Sequence, residues 1–368
     1  MKPLAAALLL AGLAGPALAA APSAAPSSAL SDALALDGAS QPAPATGGDA
    51  MSISNDIFNR TDAAYGAFQR GYYLTALALA LPRAEKADPA AQTLIAEIYA
   101  KGLGVPENVA SASSWYGLAA KNGDRVAAFE LGLLYLNGDG VPKNQARAAE
   151  LFKQASDKGY PPAEYNLALL HIQGQDASPS MTDAATLMKA AADSGLAEAQ
   201  YDYGSMLIAG AGVPPNVAEG ARQIGLAAAQ DLVEAEIDYA TMLYLGQGVS
   251  KDLHAAVGWY QRAANAGNPV GQNRYAKLLA VGEGVDLDLK QAAMWRALAR
   301  RQGLTDPVLD KLLVGISQKD LDAAEELARF WPSKPPTADD VKKAEETAKL
   351  VLSTKLAGGD VTSSAPAQ

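Results

Sequence analysis

Glycines fall at Gly102, Gly138, Gly174, Gly210, Gly246 and Gly282, each 36 residues after the last. A second glycine follows two positions on, at Gly104, Gly140, Gly212, Gly248 and Gly284, with a valine behind it each time; only the copy at Gly174 lacks it. A third series lies 21 residues after the first, at Gly123, Gly159, Gly195, Gly267 and Gly303, with Asp231 in the remaining slot. A chain that holds one register this long is a repeat array. Each copy is a supersecondary unit that cannot bury its apolar face alone, and stacked neighbours build the core.

Each copy is predicted to hold two helices. The first, for example 126–137, stops on the first glycine, which enters the left-handed region without a Cβ penalty. Asn108, Asn144, Ser180, Asn216, Asp252 and Asp288 are placed to cap the second helix through a side-chain oxygen. Small residues at Ala91, Ala127, Ala163, Ala199, Ala235 and Gly271 let neighbouring helices approach. The Trp115-Tyr116 and Trp259-Tyr260 pairs share one phase of the second helix, which places them in the core.

The expected fold class is all-α, a right-handed α-solenoid of helix-turn-helix repeats over 91–303. Capping helices are expected at 56–90, within which 63–70 and 72–86 read as an atypical first pair, and at 304–331, where Thr305 and Ser317 would open two helices. A polar helix over 332–356 starts at Thr337 and Asp340. Such caps cover the apolar faces that terminal repeats would otherwise expose.

Residues 1–19 read as a signal peptide: Met1 and Lys2, an apolar run from Leu4 to Leu13, and the small-x-small site Ala17-Leu18-Ala19. That run is shorter than the roughly 20 residues a bilayer span needs. Residues 20–55 and 357–368, rich in Ala, Pro, Ser and Gly, read as a disordered linker and a disordered tail. The mature protein is therefore expected in the periplasm or outside the cell.

Thirty basic against 40 acidic residues leave a net charge of −10, which disfavours nucleic acid and anionic membrane as partners. With no cysteine there is no disulfide, thiolate ligand or cysteine nucleophile. The two histidines, His171 and His254, occupy non-equivalent repeat positions without a carboxylate cluster, so no metal, cofactor or catalytic residue is expected. The Gly-x-Gly loops follow helices, not the strand that a phosphate-binding loop requires. There is no Gly-x-Ser-x-Gly elbow either.

The pattern Ala-x-x-x-Leu-Gly-x-x-Tyr-x-x-Gly-x-Gly-Val, then Asn or Asp, then Ala-x-x-Trp-Tyr-x-x-Ala-Ala-x-x-Gly resembles the Sel1-like repeat, a relative of the tetratricopeptide repeat. It is clearest over 127–159, with Leu131, Gly132, Tyr135 and Asn144, and over 235–267, with Asp252, Trp259, Tyr260, Ala263 and Ala264. The resemblance implies a non-enzymatic adaptor that holds a protein or peptide partner, in bacteria often within an envelope signalling or assembly system. Two other roles stand beside it: an envelope factor binding peptidoglycan or its enzymes, and a β-lactamase-like hydrolase as suggested for cysteine-rich relatives, which the absence of cysteine disfavours.

In tetratricopeptide-like units the first helices line a groove, and the resemblance places in it Phe129, Leu133 and Leu136, then Tyr165, Leu169 and Ile172, then Tyr201 and Ile208, then Ile237 and Tyr244. Beside them runs a polar row of Glu130, Asn166, Asp202 and Asp238. An apolar strip rimmed by polar groups marks a binding surface.

The export segment makes a direct prediction: protein recovered from a periplasmic fraction should begin within two residues of Ala20, read by N-terminal sequencing. A chain beginning at Met1 in the cytosol would overturn it.

Overall fold

The computed structural model describes residues 62–174, 180–337, 339–344 and 346–347. The signal peptide, the linker and the tail lie outside the described residues. What is described divides into two units, one ending at Leu232 and the other starting at Val233.

The first unit runs α1 (Ala63–Gln69), α2 (Tyr73–Ala84), α3 (Pro89–Ala100), α4 (Val109–Lys121), α5 (Arg125–Asn137), α6 (Gln145–Ser156), α7 (Pro161–Gln173), α8 (Met181–Asp193), α9 (Ala197–Ala209) and α10 (Val217–Ala228). The second runs α11 (Val233–Leu245), α12 (Leu253–Asn265), α13 (Pro269–Val281), α14 (Leu289–Arg301), α15 (Pro307–Leu312) and α16 (Gln318–Phe330). No strand occurs among the described residues, and within the first unit each helix packs on the one before it. The fold is an all-α solenoid.

The predicted caps form. Asn108 accepts from the Ser111 N–H at 2.9 Å, Asn144 from Arg147 at 3.0 Å, Ser180 from Asp183 at 3.1 Å and Asn216 from Glu219 at 3.1 Å. In the second unit Asp252 and Asp288 accept from Ala255 and Gln291, each at 2.9 Å. Each bond satisfies a donor that the helix start leaves open and contributes about 1 kcal/mol. Ser317 caps α16 as expected, but α15 is capped by Asp306, not Thr305: its carboxylate reaches the Val308 and Leu309 N–H groups at 2.9 and 3.3 Å.

The glycines answer to two constraints. Gly138 ends α5 at φ 88°, its N–H bonded to the Leu134 carbonyl. Gly140, at φ 68°, is also pressed on the preceding copy, where a Cβ would lie 2.7 Å from Val109 Cγ1 at the start of α4. The same apposition recurs 31 residues apart between Gly284 and Leu253, whose carbonyl oxygen would be 2.7 Å from a Cβ. In the third series Asp231 adopts φ 64° where the other copies have glycine, and so does Ala87, one period before Gly123. The register thus extends one copy further back than the glycines reveal.

Alanine dominates the core: Ala112, Ala127, Ala148, Ala163, Ala191 and Ala199 are all fully buried. The Trp-Tyr pairs depart from expectation. Tyr116 and Tyr260 are buried, Tyr116 donating to Glu97 Oε2 at 2.9 Å, whereas Trp115 and Trp259 are only half-buried. Trp259 lies on the edge of its cluster, with Tyr239 edge-on at 5.7 Å and the Arg262 guanidinium 4.4 Å from its ring centre.

A buried polar ladder, unforeseen from the sequence, occupies one repeat position: Gln92, Glu164, Gln200, Glu236 and Gln272. Gln92 donates to the Ala84 carbonyl at 2.9 Å, Gln200 to Ala192 at 3.3 Å and Gln272 to Ala264 at 3.4 Å, each eight residues back at the end of the previous second helix. Their own oxygens accept from Asn122, Gln230 and Gln302. The ladder thereby satisfies helix-end carbonyls that burial would otherwise leave unpaired. Glu236 pairs with Arg262 at 3.0 Å, but Glu164 has a buried Oε2 with no hydrogen-bond partner among the described residues, and burial raises its pKa.

Glu164 therefore holds protons more tightly folded than unfolded, so stability is full below its unfolded pKa and declines as pH rises through the folded one. Glu164→Gln should abolish that decline and, by register, donate to the Ser156 carbonyl. The variant should gain about 1 kcal/mol at pH 8 and little at pH 4, measured by urea unfolding at both pH values. An equal effect at both would show that folding does not raise the pKa of this carboxyl.

Candidate functional site

The first helices of the first unit bury one side of each turn and leave another half-open. In α7, Ala163, Glu164, Leu167, Ala168 and Leu170 are buried, while Tyr165, Asn166 and Leu169 are half-buried and Ile172 is 40% exposed. In α9, Ala199, Gln200, Tyr203, Gly204, Met206 and Leu207 are buried, and Tyr201, Asp202 and Ile208 are half-buried. The 3.6-residue period accounts for the split: positions facing the second helices are consumed by packing and those a third of a turn away are not.

Tyr165 Oη donates to Asp202 Oδ2 at 3.0 Å across one repeat. That bond places α7 and α9 side by side on this face and joins the apolar strip to the polar row. Asn166 turns inward and donates to the Pro162 carbonyl at 2.8 Å. Leu133 and Leu136 of α5 are half-buried against the core.

Two of the expected groove residues belong to the core. Phe129 is 8% exposed because Phe152 and Tyr160 close over it, ring centres 5.6 and 5.3 Å away. Tyr160 stands at the position where Asp88, Asp124 and Asn268 cap a first helix and where Leu196 does not, and its ring packs on Phe129 of α5. In the second unit Ile237 is 7% exposed within the main cluster. Asp238 and Tyr244 remain half-buried there, Tyr244 donating to Glu283 at 2.9 Å.

Electrostatically the first unit's face is strained towards neutrality. Burial, reinforced by the nearby Glu97 carboxylate and opposed by Lys101, pushes Glu130 up to about 7. Asp202 is raised by burial, with the Tyr165 hydrogen bond pulling it back and Glu198 adding to the rise. Glu97 itself is paired with Lys101. His171 is half-buried and His254 exposed, and no group of His, Asp and Glu among the described residues could hold a metal ion. No described helix is long and apolar enough to cross a membrane.

The Tyr165–Asp202 bond makes double replacement of Tyr165 and Tyr201 by Asp a poor probe of binding, since the first change would set two carboxylates together. Tyr165→Phe should cost about 1–2 kcal/mol by leaving a half-buried carboxylate without its donor, and Tyr165→Asp clearly more. Urea unfolding of both beside wild type checks the order; a neutral Tyr165→Phe would show that the bond does not organise this face.

The Sel1 repeat family model matches residues 89–124, 125–160, 161–196, 197–230, 233–268 and 269–304, more than half of the chain. No curated protein matches by sequence. Among solved structures, c5321, a protective antigen present in uropathogenic Escherichia coli strains and displaying an SLR fold, is similar with TM-score 0.61 and 24% identity over 69% of this chain. The match spans 56% of that protein's length. A Sel1 repeat protein from Oxalobacter formigenes is similar with TM-score 0.57 and 25% identity, covering 67% of this chain and all of that one. Six matched copies, each with the caps and left-handed turns described above, show that the chain belongs to the Sel1 repeat family, a fold that typically serves as a non-catalytic protein-interaction scaffold.

Proposed function

We propose that the protein is an exported bacterial scaffold that holds a protein or peptide partner along the first-helix face of its repeats, within a periplasmic signalling or assembly system. The observation that carries this reading is the strip of half-exposed apolar side chains at fixed repeat phases in the first unit: Leu133, Leu136, Tyr165, Leu169, Tyr201 and Ile208, with Ile172 more open still. Leu133, Leu136, Tyr165 and Leu169 pack on the core with one side and leave the other open, so the strip offers apolar surface that the array has not covered. Its aromatic members are ready anchors for a partner. The polar row alongside supplies acceptors for a partner's donors.

Leu136 and Ile172 sit at one repeat phase in consecutive copies. Leu136→Gln with Ile172→Gln should leave a cooperative melt and weaken partner binding by 2 kcal/mol or more, about 30-fold. Lys153→Asp with Lys189→Asp, on exposed second-helix positions, should bind as wild type. Crosslinking in the periplasm followed by mass spectrometry supplies the partner, and titration of purified variants reads the affinities. Equal binding by both pairs would place the interaction elsewhere.

A further inference from the structure

We propose that the first-helix face of the first unit receives a segment in which apolar residues alternate with lysine or arginine, the cations pairing with Glu130 and Asp202. This deepens the groove reading and rests on it. Several carboxylates of this unit have cations of their own: Asp62 and Asp88 share Arg83, and Glu97 has Lys101. Glu150 pairs with Arg147 at 2.6 Å, Asp157 with Lys153 at 2.8 Å, and Glu219 with Arg222 at 2.6 Å.

Glu130 and Asp202 do not fit that pattern. Both are half-buried on the face that carries the apolar strip, and neither forms an ion pair with another described residue. Glu130 lies in the field of Glu97, whose cation is already engaged. Asp202 is held by the tyrosine hydroxyl of Tyr165. A carboxylate withdrawn from water without a cation is costly, and a cation arriving on a partner relieves that cost while an anion adds to it. Apolar side chains between the cations meet Leu133, Leu169 and Tyr201. Opposite faces of an extended segment alternate with period 2, so adjacent residues of the partner can serve neighbouring rows.

The test uses the full-length protein and three labelled peptides of equal length, alternating Leu with Lys, Gln or Glu, titrated by fluorescence anisotropy. The Lys peptide should bind about tenfold tighter than the Gln peptide at low salt, with the advantage shrinking as salt rises, and the Glu peptide weakest. Glu130→Gln with Asp202→Asn should cut the advantage to about twofold and leave the Gln peptide unchanged. Asp157→Asn with Asp193→Asn removes as much charge from the second helices and should preserve it. Three peptides binding alike, a Lys preference insensitive to salt, or equal losses in the two double variants would overturn the proposal while leaving the groove intact. No binding by any peptide, or Gln-peptide binding undiminished in the Leu136→Gln, Ile172→Gln variant, would overturn the groove reading with it.

Discussion

The second glycine, carried by five of the six turns, is where one repeat becomes attached to the one before it. Gly140 must hold a left-handed backbone and also lie against Val109, the first residue of the preceding second helix; Gly284 stands in the same relation to Leu253. Those preceding residues sit directly behind the capping side chains Asn108 and Asp252. Turn, cap and stacking contact therefore meet at one place, and a side chain there would disturb all of them. The left-handed angle explains why glycine is suited, and the lack of room explains why a residue tolerant of that angle, such as asparagine, would not serve equally.

Once helices are brought that close, large side chains have little space, and the core is built mostly of alanine. An alanine buries modest apolar area, so close packing and satisfied polar groups carry more of the stability than in a core of leucine and phenylalanine. The ladder of Gln92, Gln200 and Gln272 follows from this arrangement: it pairs the carbonyls at the ends of second helices that the next copy covers. Gly204 and Gly220 show the limit of the approach, each standing where a Cβ would meet the other's carbonyl oxygen at 2.8 and 2.7 Å.

The helices, their caps and their turns were legible in the sequence because each requires a residue type at a fixed period. The ladder was not, since glutamine and glutamate alternate there and Ala128 interrupts it, leaving a pattern visible only once the carbonyls opposite are located. For the candidate face the repeat phase located half-exposed positions in α7 and α9, and it failed at Phe129. Phase tells which way a side chain leaves its own helix, but the exposure of Phe129 is decided by Tyr160, a ring just before α7 in a slot that other copies fill with Asp, Asn or Leu. Of the Trp259-Tyr260 pair, which repeat phase places together in the core, only Tyr260 is buried, its hydroxyl hydrogen-bonded to Thr241.

A linear array separates what holds it together from what it can hold. The phases of α5, α7 and α9 that meet the second helices carry most of the folding energy, and each copy depends only on its neighbours, so a change at the remaining phases acts locally. Side chains there answer to local constraints instead. Tyr165 and Asp202 illustrate one: a hydroxyl in one copy fixes a carboxylate in the next, orienting both before any partner arrives. Groups fixed in advance lose less entropy on association than free ones. The Tyr165–Asp202 bond therefore serves folding and recognition together, since it ties two copies and sets the geometry that a partner meets.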